Sequence, residues 1–107
     1  MPATEPIVVT AVFTPLEGKR DELVRRLEPA IAEVHEEEGC ILYAIHDAPD
    51  GTIVMIEKWT SEELLDTHSQ GPAVERLSAS IADVIARPVV VTRLRPIPAG
   101  TAAQGAL

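Results

Sequence analysis

Hydrophobic and polar positions change period four times along the chain. "IVVTAVFT" (7–14) is short and rich in β-branched residues, which predicts a strand. In "PLEGKRDELVRRLEPAIAEVHEEE" the apolar residues Leu23, Leu27, Ala30, Ile31 and Val34 fall within one arc at 100° per residue, which predicts an amphipathic helix. Gly39 stands just past the acidic end, where a left-handed residue would close that helix. Pro29 projects from the face opposite the arc, so a bend there would curve the helix around its core. "CILYAIHD" (40–47) and "TIVMIEKW" (52–59) predict two strands joined by the turn "APDG". A short helix follows over 61–68, with Ser61 as N-cap and Glu62 and Glu63 in its first turn. Gly71-Pro72 breaks it and starts another, with Val74, Leu77, Ile81 and Ile85 on one stripe and Pro88 as its end. "VVVTRLR" (89–95) predicts the last strand.

Strand, helix, strand, strand, helix, strand is the order of the α+β ferredoxin-like fold, βαββαβ, with a four-stranded antiparallel sheet and helices on one face. Right-handed crossovers leave few other topologies for it. Residues 1–95 are expected to form this single domain, and the aperiodic tail 96–107 is expected to be mobile.

With Asp47 opposite Thr52, one hairpin face would carry Cys40, Leu42, Ala44, His46, Ile53, Met55, Glu57 and Trp59. The other would carry Ile41, Tyr43, Ile45, Val54, Ile56 and Lys58. Both are largely apolar, yet the chain has helix enough to cover only one. A second copy packed sheet to sheet would cover the other, so a homodimer is expected, with Tyr43 at its interface.

Composition narrows the class. A net charge of −8 over 107 residues argues against nucleic acid, whose phosphates attract basic patches, and against an anionic membrane surface. One cysteine, Cys40, permits no internal disulfide, which fits a reducing cytoplasm. "MPATEPIVVT" lacks the features of a signal peptide, and no apolar run approaches the roughly 20 residues of a membrane span. The His, Cys and carboxylate spacings match no metal site.

Glu57 and Trp59 close the third strand on one side, placed by this register beneath the helices with Met55 and with His46 nearby. His68 would sit on the covering helix. A carboxylate, an indole and imidazoles could then line a cavity inside each chain. A plainer reading is equally open for each: Trp59 as a core anchor, Glu57 as a structural carboxylate pairing with Arg93 or Arg95, His68 and His46 as surface residues, Cys40 as a small buried hydrophobe.

Gly39, Cys40 and Tyr43 in "EEGCILYAI", then Glu57, Trp59, His68 and Pro72 in "IEKWTSEELLDTHSQGP", together resemble the antibiotic biosynthesis monooxygenase superfamily of dimeric ferredoxin-like α/β-barrel proteins. The resemblance spans nearly residues 6–95. It implies oxygenation by molecular oxygen of a quinol- or polyketide-like aromatic, often with no metal, flavin or haem. Such a site would use His68 or His46 as base, Trp59 as ring platform with Met55 beside it, and Glu57 orienting a neighbour. His68 ranks first because the family pattern reaches it. Two departures stand out. Many relatives follow the Pro with a His, where this chain has Ala73. The haem-degrading branch needs an Asn and a His where alignment puts Ala11 and Ser78, so haem is not expected. The alternatives on the same scaffold are a non-catalytic dimeric small-molecule-binding or stress-related domain and a small-metabolite isomerase.

Overall fold

The computed structural model describes residues 5–107. Its elements are β1 (Ile7–Phe13), α1 (Arg20–Val34), β2 (Cys40–Asp47), β3 (Ile53–Trp59), α2 (Glu62–Ser69), α3 (Pro72–Ile81) and β4 (Val90–Leu94). The strands form one open antiparallel sheet in the order β2-β3-β1-β4. This is the ferredoxin-like α+β fold, with β1 and β3 in the centre and the helices on one face. The thinnest extent is 20 Å, which fits one helix layer on one sheet. No helix among the described residues is long and apolar enough to cross a membrane.

The core lies between sheet and helices. Ile53, Met55, Glu57 and Trp59 alternate inward along β3, Val9, Ala11 and Phe13 along β1, and all are buried. Leu23, Leu27 and Val34 of α1 close over them, and exposed Pro29 lies on the outer side of that helix.

Three expectations are corrected. The hairpin pairs Asp47 with Ile53 rather than with Thr52. Ala48 N–H donates to the Thr52 carbonyl at 3.0 Å and Gly51 N–H to that of Ala48 at 3.0 Å. Gly51 has φ +91°, so Pro49, Asp50 and Gly51 make a three-residue loop of the kind that needs a left-handed last residue. The strand period is two, so this one-residue shift exchanges the two faces of β2. Tyr43 and Ile45 now share the inner side with Met55 and Glu57, and His46 moves to the outer side. A bulge between Cys40 and Leu42 restores Cys40 to a position opposite Trp59.

Second, α1 stops at Val34, so Glu36–Glu38 lie in the turns that follow and not on the helix. Glu36 and Glu37 donate their N–H groups to the carbonyls of Glu33 and Val34, and Gly39 takes φ +89° further on. Third, α3 ends at Ile81 rather than near Pro88. Leu16 N–H donates to the Val84 carbonyl and Ala86 N–H to that of Thr14, so 84–86 ties to the end of β1 and leaves the helical path. The buried face of α3 is Ala73, Leu77 and Ile81, continued by Val84, with Ala73 in the place expected for Val74. Beyond Leu94 there is no helix or strand, only a turn at 101–105 in which Gly105 N–H donates to the Thr101 carbonyl at 2.7 Å.

Candidate functional site

Two local features create space beneath the helices. The Gly71-Pro72 break lets α3 change direction after α2, and α3 packs mainly against α1 rather than down onto the sheet. Arg26 of α1 reaches Asp83 at 2.5 Å and the Ser80 carbonyl at 3.0 Å, and Arg76 of α3 pairs with Glu33. Below α3, β1 presents the small residues Val9 and Ala11. A cavity of about 310 Å³ remains between α2, α3 and the β3-β1-β4 part of the sheet.

Its walls are largely apolar, including Phe13, Leu65, Leu77 and Val91; Ser69, Ser78 and Arg93 lie at exposed positions, and the polar groups set deep in the walls are Tyr43, Glu57 and His68. These last three are about 95% buried. Glu57 is flanked in the sheet by Val9 on one side and Tyr43 on the other. Trp59 is its neighbour two positions along the same face, and Trp59 Nε1–H donates to Glu57 Oε1 at 3.0 Å. The carboxylate and the indole thus share a side because each satisfies the other in the interior. Arg93 of β4 stands at the rim, held by Asp66 at 2.7 Å and Glu62 at 3.3 Å.

His68 lies on the inner face of α2, three residues after buried Leu65. The α2 start is set by Ser61, whose hydroxyl accepts from Leu64 N–H at 3.2 Å. The imidazole lies over the Trp59 indole with ring centroids 4.4 Å apart at 33°, and edge-on to Tyr43 at 5.4 Å. Its Nδ1 is 2.9 Å from Oε1 of Glu37. The acidic cluster after α1 therefore supplies a partner to the buried imidazole.

Among the described residues no buried side-chain nitrogen or oxygen lacks a partner. The Tyr43 hydroxyl, the second Glu57 oxygen and His68 Nε2 have no protein partner there, so none of the three is fully enclosed. Burial raises the Glu57 carboxyl above its ordinary value, against the opposing pull of the Trp59 N–H and of His68 and Arg93 through space. Burial first, and Glu57 second, raise the Tyr43 phenol well above its usual range. Tyr43 therefore stays protonated at neutral pH and can donate.

The residues expected at the site divide into three groups. His68 and Glu57 line the cavity. Trp59 and Met55 are fully buried behind it and do not line it, so the indole supports His68 and Glu57 from below instead of offering a platform to a ligand. His46 is on the outer face, exposed, with Nδ1 3.2 Å from the Val54 carbonyl, and has no access to the cavity. Tyr43, expected at an interface, is the cavity residue that the slipped register hid. Ala11 and Ser78 also line the cavity, so it presents neither amide nor imidazole at those positions. No three His, Cys, Asp or Glu side chains converge on a metal position among the described residues.

The sequence profile described as "Antibiotic biosynthesis monooxygenase" matches residues 6–80. The chain belongs to that family. Rv0793 of Mycobacterium tuberculosis, provisionally named a monooxygenase, is 33% identical over 95 residues, covering 88% of this chain and 94% of its own. Its solved structure superposes with a TM-score of 0.80, at 31% identity over 91% of this chain and 100% of that one. A Caulobacter crescentus structure assigned to the same family shares the fold at a TM-score of 0.80 and 20% identity, covering 89% of this chain and 92% of that one. PA3566 of Pseudomonas aeruginosa shares it at 0.77 and 23%, covering 91% and 99%.

Proposed function

We propose that this family member oxidises a small quinol- or naphthol-type substrate with molecular oxygen, using His68 as the base. The observation that carries the reading is the apolar cavity of about 310 Å³ whose buried polar groups, among the described residues, are Tyr43, Glu57 and His68. That volume is at the lower end for small-molecule sites and suits one or two fused rings. A ring would lie between Phe13 and Leu77 with its hydroxyl toward the polar wall. His68 Nε2 takes the phenolic proton. The Tyr43 hydroxyl donates to the resulting phenolate, whose charge is otherwise costly in so apolar a site. The electron-rich ring then reduces oxygen. For a quinol, one ring C–H becomes C–OH, both quinol hydroxyls become carbonyls, and the second oxygen atom leaves as water. Quinol plus O₂ gives hydroxyquinone plus H₂O, so the substrate supplies all the electrons.

A homodimer is part of the same proposal, because the outer sheet face is apolar and carries no helix. The rim residues Val91 and Arg93 sit on the exposed edge strand β4 beside that face.

Oxygen consumption with a panel of quinols and naphthols tests the reading, with one O₂ expected per hydroxyquinone formed. His68→Ala should lower the rate by about 10²–10⁴-fold, the usual contribution of a general base. No uptake above the buffer blank across the panel would overturn it. A compound that raises the melting temperature and is recovered unchanged would instead mark a binding protein.

A further inference from the structure

His68 borders two spaces. One is the apolar cavity. The other is an outer depression of about 380 Å³ between the turn after α1 and the α2–α3 junction, where Glu33, Glu36, Glu37 and Glu38 gather beside Thr67. Only Glu37 of these four bonds the imidazole. A carboxylate 2.9 Å from Nδ1 accepts the proton there, and Nε2 is then left with its lone pair directed away from Glu37. The ring cannot easily turn over to reverse this, because it is held against the Trp59 indole at 4.4 Å and the Tyr43 ring at 5.4 Å.

We infer that Glu37 is a positioning residue for the reaction proposed above: it fixes His68 as the Nδ1–H tautomer, presents a bare Nε2 to the cavity, and stabilises the imidazolium formed when Nε2 takes the substrate proton. The proton returns from Nε2 to the oxygen atom that leaves as water, which restores the Nδ1–H tautomer for the next turnover. Charges facing the imidazole from the other packed elements are few. Tyr43 on β2 is a neutral phenol, Glu57 on β3 is held by the indole N–H, α3 offers the methyl of Ala73, and Arg93 on β4 is paired with Glu62 and Asp66. Glu37 is thus the one carboxylate bonded directly to the ring.

The assignment rests on His68 being the base, but its test need not. Nitrogen-15 NMR of the imidazole reports the tautomer without any substrate. Wild type should show the Nδ1–H form at pH 8. Glu37→Gln, whose amide can donate to Nδ1 as well as accept from it, should shift His68 toward a mixture of tautomers. Glu36→Gln and Glu38→Gln, which change the same depression without touching the ring, should not. With a turned-over quinol, Glu37→Gln should lower kcat by about 10- to 100-fold, the size seen when a metal-bound imidazole loses its orienting carboxylate, with KM within about twofold. An Nε2–H tautomer in wild type overturns the assignment even if the variant does not fold. So does a Glu37→Gln protein with unchanged tautomer and turnover. If no quinol is oxidised by wild type, the proposed function falls, and the tautomer still decides the role of Glu37.

Discussion

Glu57 shows how one buried side chain couples stability to pH. Its carboxyl accepts from the Trp59 indole at 3.0 Å, yet burial outweighs that bond and raises its proton affinity. The folded chain therefore holds the Glu57 proton to higher pH than the unfolded chain does. Between the two pKa values the native state binds more protons, so this residue's contribution to stability falls as pH rises from the ordinary carboxylate value through the folded one. Glu57→Gln keeps an acceptor for Trp59 Nε1–H and removes the buried charge. We expect it to raise the melting temperature at pH 8, with about 4 °C for each 1 kcal/mol recovered in a domain of this size, and to give little gain at pH 4. Calorimetry of both proteins across that range checks this, and an equal or larger gain at pH 4 would contradict the sign. The pairing of Glu57 with Trp59 was half legible from their spacing alone, since residues two apart on a strand share a face. What spacing could not show is that the indole faces the helix layer through His68, which leaves it behind the cavity wall.

The hairpin and the turn before it show where pattern reading stops at the level of elements. All four strands and the break at Gly71-Pro72 were legible, because each change of period coincides with a Gly, a Pro or, between β3 and α2, the N-cap Ser61. The loop length was not. "APDG" supports either a four-residue or a three-residue connection, and only the left-handed Gly51 decides between them. That single residue placed Tyr43 in the site and His46 outside it. Gly39 has a comparable role ahead of β2. At φ +89° a side chain is strained, and a Cβ there would lie 2.7 Å from Leu64 Cδ1 and 2.8 Å from Leu64 Cβ. Leu64 cannot yield without moving α2, and Glu37, two residues before Gly39, must still reach His68 on that helix. Gly39→Ala should cost about 2–5 kcal/mol, the sum of a left-handed alanine and a local overpacking. In urea this would be read as a lower midpoint with an unchanged slope. The turn at Gly51 meets nothing within 4 Å, so Gly51→Ala should carry the backbone strain alone and cost less. Equal costs at the two positions would mean that contact with Leu64 is unimportant.

One sheet with helices on a single side leaves the molecule asymmetric. Val12, Leu42, Val54 and Ile56 point away from the helices and stay partly exposed, Val8 on the same side is buried, and Val90 and Leu94 extend this surface along β4 at 57% and 44% exposure. An apolar surface of this kind, interrupted by Thr10 and Thr92, is suited to a partner more than to water. The charges that give the chain its −8 are concentrated on the helices, their turns and the hairpin tip, with Lys58 near one end of the bare face and His46 near the other. A second copy, laid face to face, would bury the apolar strands and keep the two acidic helix layers on opposite outer sides. Light scattering at about 10 μM should then report twice 11.5 kDa. Ile56 is the substitution that separates this from a monomer with a tolerant surface. It is half-buried at the centre of the bare face, between Thr10 and Ala44. In a single chain Ile56→Glu places a carboxylate in water at small cost. Across a sheet-to-sheet interface it buries two unpaired carboxylates, at several kcal/mol each. The variant should fall to the mass of one chain and lose the concentration dependence of its melting temperature that a dimer imposes. A wild type that is monomeric at that concentration, or an Ile56→Glu protein that keeps the doubled mass, would show that this face is not where copies meet.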